Sequence, residues 1–249
     1  EIISSFALTE PDHGSDAAHI QTTARRDGDD FIINGTKRYI TNASRAGMFT
    51  LLARTDPDKE GASGVTAFLM PADSPGISLG TTDKKMGQRG TRTCDVLLDD
   101  VRLPSSAIIG GPDNLGKGFY TAMKVLDRGR IHLSAVATGT SQRMVSIATE
   151  YARERKQFGV PIGQHQLVQA LLADSQTDLL AARHLCRAAA RKYDRDGSAV
   201  LEASCAKLFS SEAAGRIADR CVQIHGGAGY IADYQIERLY RDVRLLRIY

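Results

Sequence analysis

Apolar positions along the chain repeat with two different periods, and the change falls near Gly116. Before it, apolar and polar residues alternate in short runs at 22–26, 30–34, 36–41, 48–55, 64–70 and 94–98. Gly28-Asp29 and Asn34-Gly35 supply turn signals, and the second pair favours a two-residue hairpin. Asp-Pro, Gly and Ser clusters separate the rest, and Glu1 stands in what reads as a further strand. Strands this short and this evenly spaced predict a small antiparallel β-barrel or sandwich.

Beyond Gly116 the period becomes helical. Phe119, Met123 and Leu126 open a helix reaching about Arg155, and Leu167, Leu171, Leu172, Leu179, Ala182 and Cys186 mark a second. Cys205, Phe209, Ala213, Ile217 and Cys221 share a stripe on a third helix, which predicts both cysteines in the core. Ile236, Leu239, Tyr240, Val243 and Leu246 make a fourth. Gly163 and Asp196-Gly197 break the series, and short connections between long amphipathic helices predict an antiparallel four-helix bundle. The fold class expected is α+β, with a β domain at 1–112 and a helical domain at 113–249. The last segment is charged and helix-periodic, with no stop signal, so it is expected to continue past Tyr249.

Bulk properties narrow the function classes. With 249 residues and 42% apolar content the chain can bury one large core or two smaller ones. A formal charge of +3 comes from interspersed signs, so neither a nucleic-acid face nor a membrane-surface helix is expected, and no apolar run suits a bilayer. Cys94, Cys186, Cys205 and Cys221 have no C-x-x-C or His pattern, which argues against a metal site or disulfide framework and for a reducing compartment. A targeting segment, if present, would lie upstream of Glu1.

Two glycine-rich stretches invite nucleotide readings. Gly111-Pro-Asp-Asn-Leu-Gly116-Lys117 matches most of a phosphate loop, but Gly118 stands where a magnesium-binding hydroxyl is needed and Asp113 would put a carboxylate among the phosphates. A loop and helix start is the expected structure there. Gly226, Gly227 and Gly229 form a bare backbone corner between two helical patterns, with no preceding strand, so it is not a Rossmann site.

Phe6-Ala-Leu-Thr-Glu-Pro-Asp-His-Gly-Ser-Asp16 resembles the first signature of the acyl-CoA dehydrogenases. Gln223-Ile-His-Gly-Gly-Ala-Gly-Tyr230, with Asp233, Arg238 and Asp242 beyond it, resembles the second. Between them, Tyr39-Ile-Thr-Asn42, Met86-Gly-Gln-Arg89, Asp100-Val-Arg-Leu-Pro104 and Arg155-Lys-Gln-Phe-Gly159 are similar to family motifs and in the family's order. The resemblance covers nearly the whole chain. It implies a middle β domain and a C-terminal helical domain, with an N-terminal helical domain and the extreme C-terminus outside the sequence. His13 and His19 depart from it, being bulkier than the residues usual there.

The same resemblance implies a flavin site. Phe6, Leu8 and Thr9 would line the isoalloxazine of FAD, with Tyr39, Ile40 and Thr41 packing and hydrogen-bonding near its reactive N5. Ser15 would touch both flavin phosphate and acyl-CoA. Arg155, Gln157, Phe158, His165 and Gln166 would receive the FAD of a neighbouring subunit, and Gln223, Gly226 and Gly227 would hold its ADP portion. A guanidinium suits a pyrophosphate there because it can bond it bidentately. Thr9-Glu-Pro is also an ordinary turn start, and Arg155 an ordinary charged helix end. His225, His132 and His184 are expected to be structural or surface residues. Asp127, Arg130 and Tyr249 would, by resemblance, contact the thioester substrate.

The family reaction is FAD-dependent α,β-dehydrogenation of an acyl-CoA, as in fatty acid β-oxidation. It needs a carboxylate over the α carbon and donors on the thioester carbonyl. Most members place that base directly after the Ile-Tyr matching Ile248-Tyr249, so no catalytic base is expected within the sequence. A minority place it where Gly129 stands, and glycine cannot take a proton. The resemblance further implies an electron-transfer flavoprotein as acceptor, a homotetramer or homodimer, and a bacterial cytoplasmic or mitochondrial matrix location. Same-fold oxidases, flavin monooxygenases and a non-catalytic binding scaffold are the alternatives.

Overall fold

A computed structural model describes residues 2–249; the strand expected at Glu1 lies outside the described residues. The chain forms two compact units, one of residues 1–85 and 89–124, the other of residues 86–88 and 125–249.

The first unit is built on a curled, mixed seven-stranded sheet. Its strands are β1 (Ser4–Ala7), β2 (Thr23–Asp27), β3 (Asp30–Thr41), β4 (Met48–Arg54), β5 (Val65–Pro71), β6 (Ile77–Leu79) and β7 (Thr93–Pro104). Most pairs are antiparallel as expected, but β1 runs parallel to β4, and β2 meets it in parallel at Thr23–Arg54. β1 and β6 are too short to stand out as alternating runs.

One turn signal proves to be something else. Gly28-Asp29 makes the β2–β3 hairpin, whereas Asn34-Gly35 lies inside β3 at an irregularity opposite β7. Gly35 has φ of 150°, and a Cβ there would stand 2.6 Å from the Thr22 hydroxyl, so close packing rather than a turn demands the glycine.

Phe31, Ile33, Phe49, Leu51, Phe68, Met70, Val96 and Val101 form the main core of the unit, with the Phe31 and Phe68 rings edge to face at 5.3 Å. On the other parity of β4, Leu52 enters a second cluster with Leu8, Ile20, Val65 and Ala67, covered by Phe119, Ala122 and Met123. The stretch 111–117 is a 3-10 turn and loop before a helix, as its sequence predicts.

The second unit holds four helices, α1 (Gly118–Glu154, its first turns belonging to the β unit), α2 (Gln166–Asp196), α3 (Val200–His225) and α4 (Gln235–Val243). A small hairpin of β8 (Lys156–Gln157) and β9 (Val160–Pro161) joins α1 to α2. Gly197, with φ of 70°, caps α2 by donating to the Tyr193 carbonyl.

The inward stripe of α3 differs from the expected one. Cys221 is buried, but Cys205 is exposed; the buried positions include Ala203, Ala206, Ser210, Ala213, Ala214 and Ile217. Small side chains let α2 and α3 approach closely, so the dry face follows the alanines rather than the larger apolar residues. Met144, Leu179, Ile217, Ile236, Val243 and Leu246 complete this core.

Candidate functional site

In the β unit, β1 turns Ser5 and Ala7 inward and leaves Phe6 40% exposed. Three hydrogen bonds gather the first motif against the end of β3: Arg38 N–H donates to the Thr9 carbonyl at 2.8 Å, Lys37 Nζ to the Leu8 carbonyl at 3.1 Å, and Ser5 Oγ to the Thr41 carbonyl at 2.7 Å. Phe6, Leu8 and Thr9 thus stand beside Tyr39, Ile40 and Thr41. An irregularity between Lys37 and Ile40 puts Tyr39 at φ of 58° and leaves its ring exposed. Leu8 and Ile40 bury their side chains in the two cores, so only their main chains are open to a ligand. Ser15 is exposed, just past a turn closed by reciprocal Glu10–His13 backbone bonds.

Sequence reasoning missed the pair beneath this surface. Lys37 is fully buried and bonds Glu10 Oε1 at 2.8 Å, while Glu10 also accepts from the Gln21 and Thr22 N–H groups at 2.5 and 2.9 Å. Burial alone would raise the Glu10 pKa, but the Lys37 charge and these donors outweigh it and hold it below the ordinary carboxylate range. Burial pushes Lys37 down to about 8 against the pull of Glu10. The available signal was parity: Lys37 falls on the same alternation as Phe31 and Ile33, where a lysine is out of place without a partner.

In the helical unit, the end of α1, the start of α2 and the end of α3 lie at one end of the bundle. The Tyr151 ring of α1 stacks on His225 of α3 at 4.3 Å, and Arg155 N–H donates to the Tyr151 carbonyl. His225 is buried, with Nδ1 on the Cys221 carbonyl at 2.7 Å; burial lowers its pKa against that bond, so it is a neutral packing residue as expected.

Around this end, Gln157 is exposed in the hairpin and Phe158, at its turn, is 93% exposed. Phe158 and Gly159 have φ of 53° and 82°, a geometry that presents the phenyl ring to solvent. Phe158 meets His165 edge to face at 5.8 Å, and His165 Nε2 is buried with no hydrogen-bond partner. Gln166 and Gln223 are exposed, and Arg155 has no ion-pair partner among the described residues. Gly226, with φ of 59°, and Gly227 face open space. An unpaired guanidinium, an orphaned ring nitrogen, a displayed aromatic ring and bare backbone fit an anionic, partly aromatic ligand such as a dinucleotide.

Asp127, Arg130 and Tyr249 form no part of that group. Asp127 and Arg130 pair at 2.6 Å near the start of α1. Arg130 lies on α1 and Arg155 one residue past its end, twenty-five positions on, about 37 Å at 1.5 Å per residue. Lys207 of α3, its pKa lowered by burial and then by the nearby Arg130 charge, marks the same level. The 3-10 turn Arg244–Arg247 is tied to mid-α3 by Arg247–Glu212 at 2.9 Å, which carries Tyr249 towards that level. Gly129 is exposed there and carries no acid. His132 and His184 lie on helix surfaces, and no described helix is long and apolar enough to cross a membrane.

Residues 5–101 match the model of the acyl-CoA dehydrogenase middle domain, and residues 116–249 that of the acyl-CoA dehydrogenase C-terminal domain. The chain is 47% identical to a 3-(aryl)acrylate reductase of Clostridium sporogenes over 98% of its own length and 64% of the relative's. It is 42% identical to the human short-chain specific mitochondrial acyl-CoA dehydrogenase, over 99% of the chain and 59% of that protein. Butyryl-CoA dehydrogenase from Megasphaera elsdenii superposes with a TM-score of 0.95 at 36% identity, covering all of this chain and 64% of that one. The sequence thus spans under two thirds of these relatives. With both domain models matched in order and the fold shared, the chain belongs to the acyl-CoA dehydrogenase family of oxidoreductases.

Proposed function

We propose that the full-length protein is a flavoenzyme that removes hydrogen across the α,β bond of an acyl-CoA thioester. The observation that carries this is the cluster at the end of the bundle, where Arg155, Phe158, His165 and the Gly226-Gly227 corner leave unsatisfied groups suited to a dinucleotide. FAD, when bound, supplies the acceptor for a hydride from the β carbon. Phe6, Thr9, Ser15, Tyr39 and Thr41, with the main chains of Leu8 and Ile40, hold its flavin half in one subunit. Arg155, Gln157, Phe158, His165, Gln166, Gln223, Gly226 and Gly227 of a neighbouring subunit take its ADP half. The separation of about 37 Å along α1 supports this division, because Asp127, Arg130 and Tyr249 then serve the thioester at a separate station.

The Glu expected directly after Tyr249 in the longer protein takes the α proton, a role Gly129 cannot fill. Acyl-CoA substrate, an electron-transfer flavoprotein partner, a homotetrameric or homodimeric assembly, a place in β-oxidation and a reducing compartment belong to the same proposal. The 3-(aryl)acrylate reductase and, at 42% identity, the caffeyl-CoA reductase–Etf complex subunit of Acetobacterium woodii favour a second reading, in which the same residues serve reduction of an unsaturated substrate.

Denaturing purified full-length protein and identifying the released chromophore tests the proposal. One FAD per subunit is expected, with Arg155→Ala weakening its retention tenfold or more. Protein that is colourless and takes up no FAD on reconstitution contradicts it. Rapid reoxidation of the reduced flavin by air would move the assignment to an oxidase or monooxygenase.

A further inference from the structure

Residues Met86, Gly87 and Gln88 belong to the helical unit and lie against the end of α4. Gln88 N–H donates to Asp242 Oδ1 at 2.5 Å, and Gln88 Nε2 donates to the Asp242 carbonyl at 3.3 Å. Arg241 binds both oxygens of Glu237, at 2.8 and 3.0 Å, and turns its remaining terminal nitrogen to the Met86 carbonyl at 2.7 Å. Gly87 leaves no room for a side chain: a Cβ there would stand 2.5 Å from the Arg241 carbonyl oxygen and 2.8 Å from Asp242 Oδ1.

Two features of this contact run against local preference. Gln88 has φ of 50°, an uncommon backbone state for a residue with a side chain. Asp242 is the penultimate residue of α4, where a carboxylate meets the negative end of the helix. Neither would arise from helix or turn propensity; both are held by the contact itself.

Seven residues past Asp242 stands Tyr249. The path is continuous: α4 tightens into the turn Arg244–Arg247, and the Ile248 and Tyr249 N–H groups both donate to the Leu245 carbonyl. The buried Val243 and Leu246 side chains and the half-exposed Arg247–Glu212 pair also hold this stretch.

We propose that the Met86–Gln88 contact with Arg241 and Asp242 is a latch that sets the position of the segment carrying Tyr249, with Asp242 as the positioning residue for proton removal at the substrate. The proposal rests on the function argued above.

The test uses full-length protein bearing Asp242→Ala or Asp242→Asn, since Asn keeps an oxygen acceptor for Gln88 N–H. Asp242→Ala is expected to lower kcat tenfold or more with KM within twofold of wild type and an unchanged flavin spectrum. Asp242→Asn should recover kcat to within about threefold. Hydrogen exchange at residues 243–249 should be at least tenfold faster in Asp242→Ala and near wild type in Asp242→Asn. Unchanged exchange overturns the latch, as does an Asp242→Ala kcat within twofold of an active wild type. Loss of FAD and of thermal stability in parallel with kcat would reduce Asp242 to a general structural role and also overturn it. A wild type inactive on every thioester refutes the functional reading instead, and exchange at 243–249 then decides the latch alone.

Discussion

Lys37 and Glu10 place two charges in a dry interior directly beneath the first motif, and their value lies in what they hold. Lys37 fixes the Leu8 carbonyl and Glu10 fixes the backbone of Gln21 and Thr22, so the pair ties three chain segments together. Replacing Lys37 with Met leaves Glu10 buried beside two N–H donors, with the His13 ring at 3.9 Å in place of a lysine at 2.8 Å. Such an orphaned charge costs about 3–5 kcal/mol, which urea unfolding at neutral pH would register. Because Glu10 is held below its unfolded pKa of 4.5, its contribution is present above that value. It is lost as pH falls through the folded pKa. Wild-type stability should therefore drop on acidification below pH 4.5, and the Glu10→Gln variant should show a shallower drop. At this scale the structure leaves Phe6, Tyr39, Phe158 and Gly226 exposed, as a ligand contact at each would require. The ion pair was not legible in the sequence, since pairing Glu10 with Lys37 requires knowing which segments the sheet brings together.

The β8–β9 hairpin carries a turn whose backbone geometry favours residues other than the one that stands there. Its turn residues Phe158 and Gly159 both adopt positive φ, which Asn-Gly satisfies with less strain than Phe-Gly. Phe158→Asn should leave thermal stability unchanged or raise it, while FAD retention falls about tenfold with the loss of an aromatic contact. Stability and affinity falling together would mean that Phe158 serves the hairpin itself. The long helices were legible because their period persists for many turns. The Asn34-Gly35 signal misled because a bulge and a turn ask for the same glycine, and only the partner strand tells them apart. Cys205 misled for a related reason: α3 buries alanines, whose inward stripe carries little hydrophobic contrast.

On the scale of the whole molecule, one helix carries two stations about 37 Å apart, Asp127–Arg130 near its start and Arg155 just past its end. If the ADP half of each FAD is held by a neighbour, two defective variants should complement. Thr9→Ala/Tyr39→Ala and Arg155→Ala/Phe158→Ala subunits, each poor in FAD, should regain intact sites when unfolded and refolded together. Mixed protein holding no more FAD than the average of its parents would show that each subunit binds FAD alone. The order of motifs made the family legible from the sequence, while the direction of the reaction and the acyl group were not, since relatives of similar identity are named both reductases and dehydrogenases. The central claim is tested most directly by titrating full-length protein anaerobically with a panel of saturated and α,β-unsaturated acyl-CoAs while recording its visible spectrum. A yellow protein is expected, whose flavin band bleaches with at least one saturated thioester and whose dithionite-reduced form regains colour with the matching unsaturated one. A flavin band indifferent to every thioester in both redox states would contradict the claim.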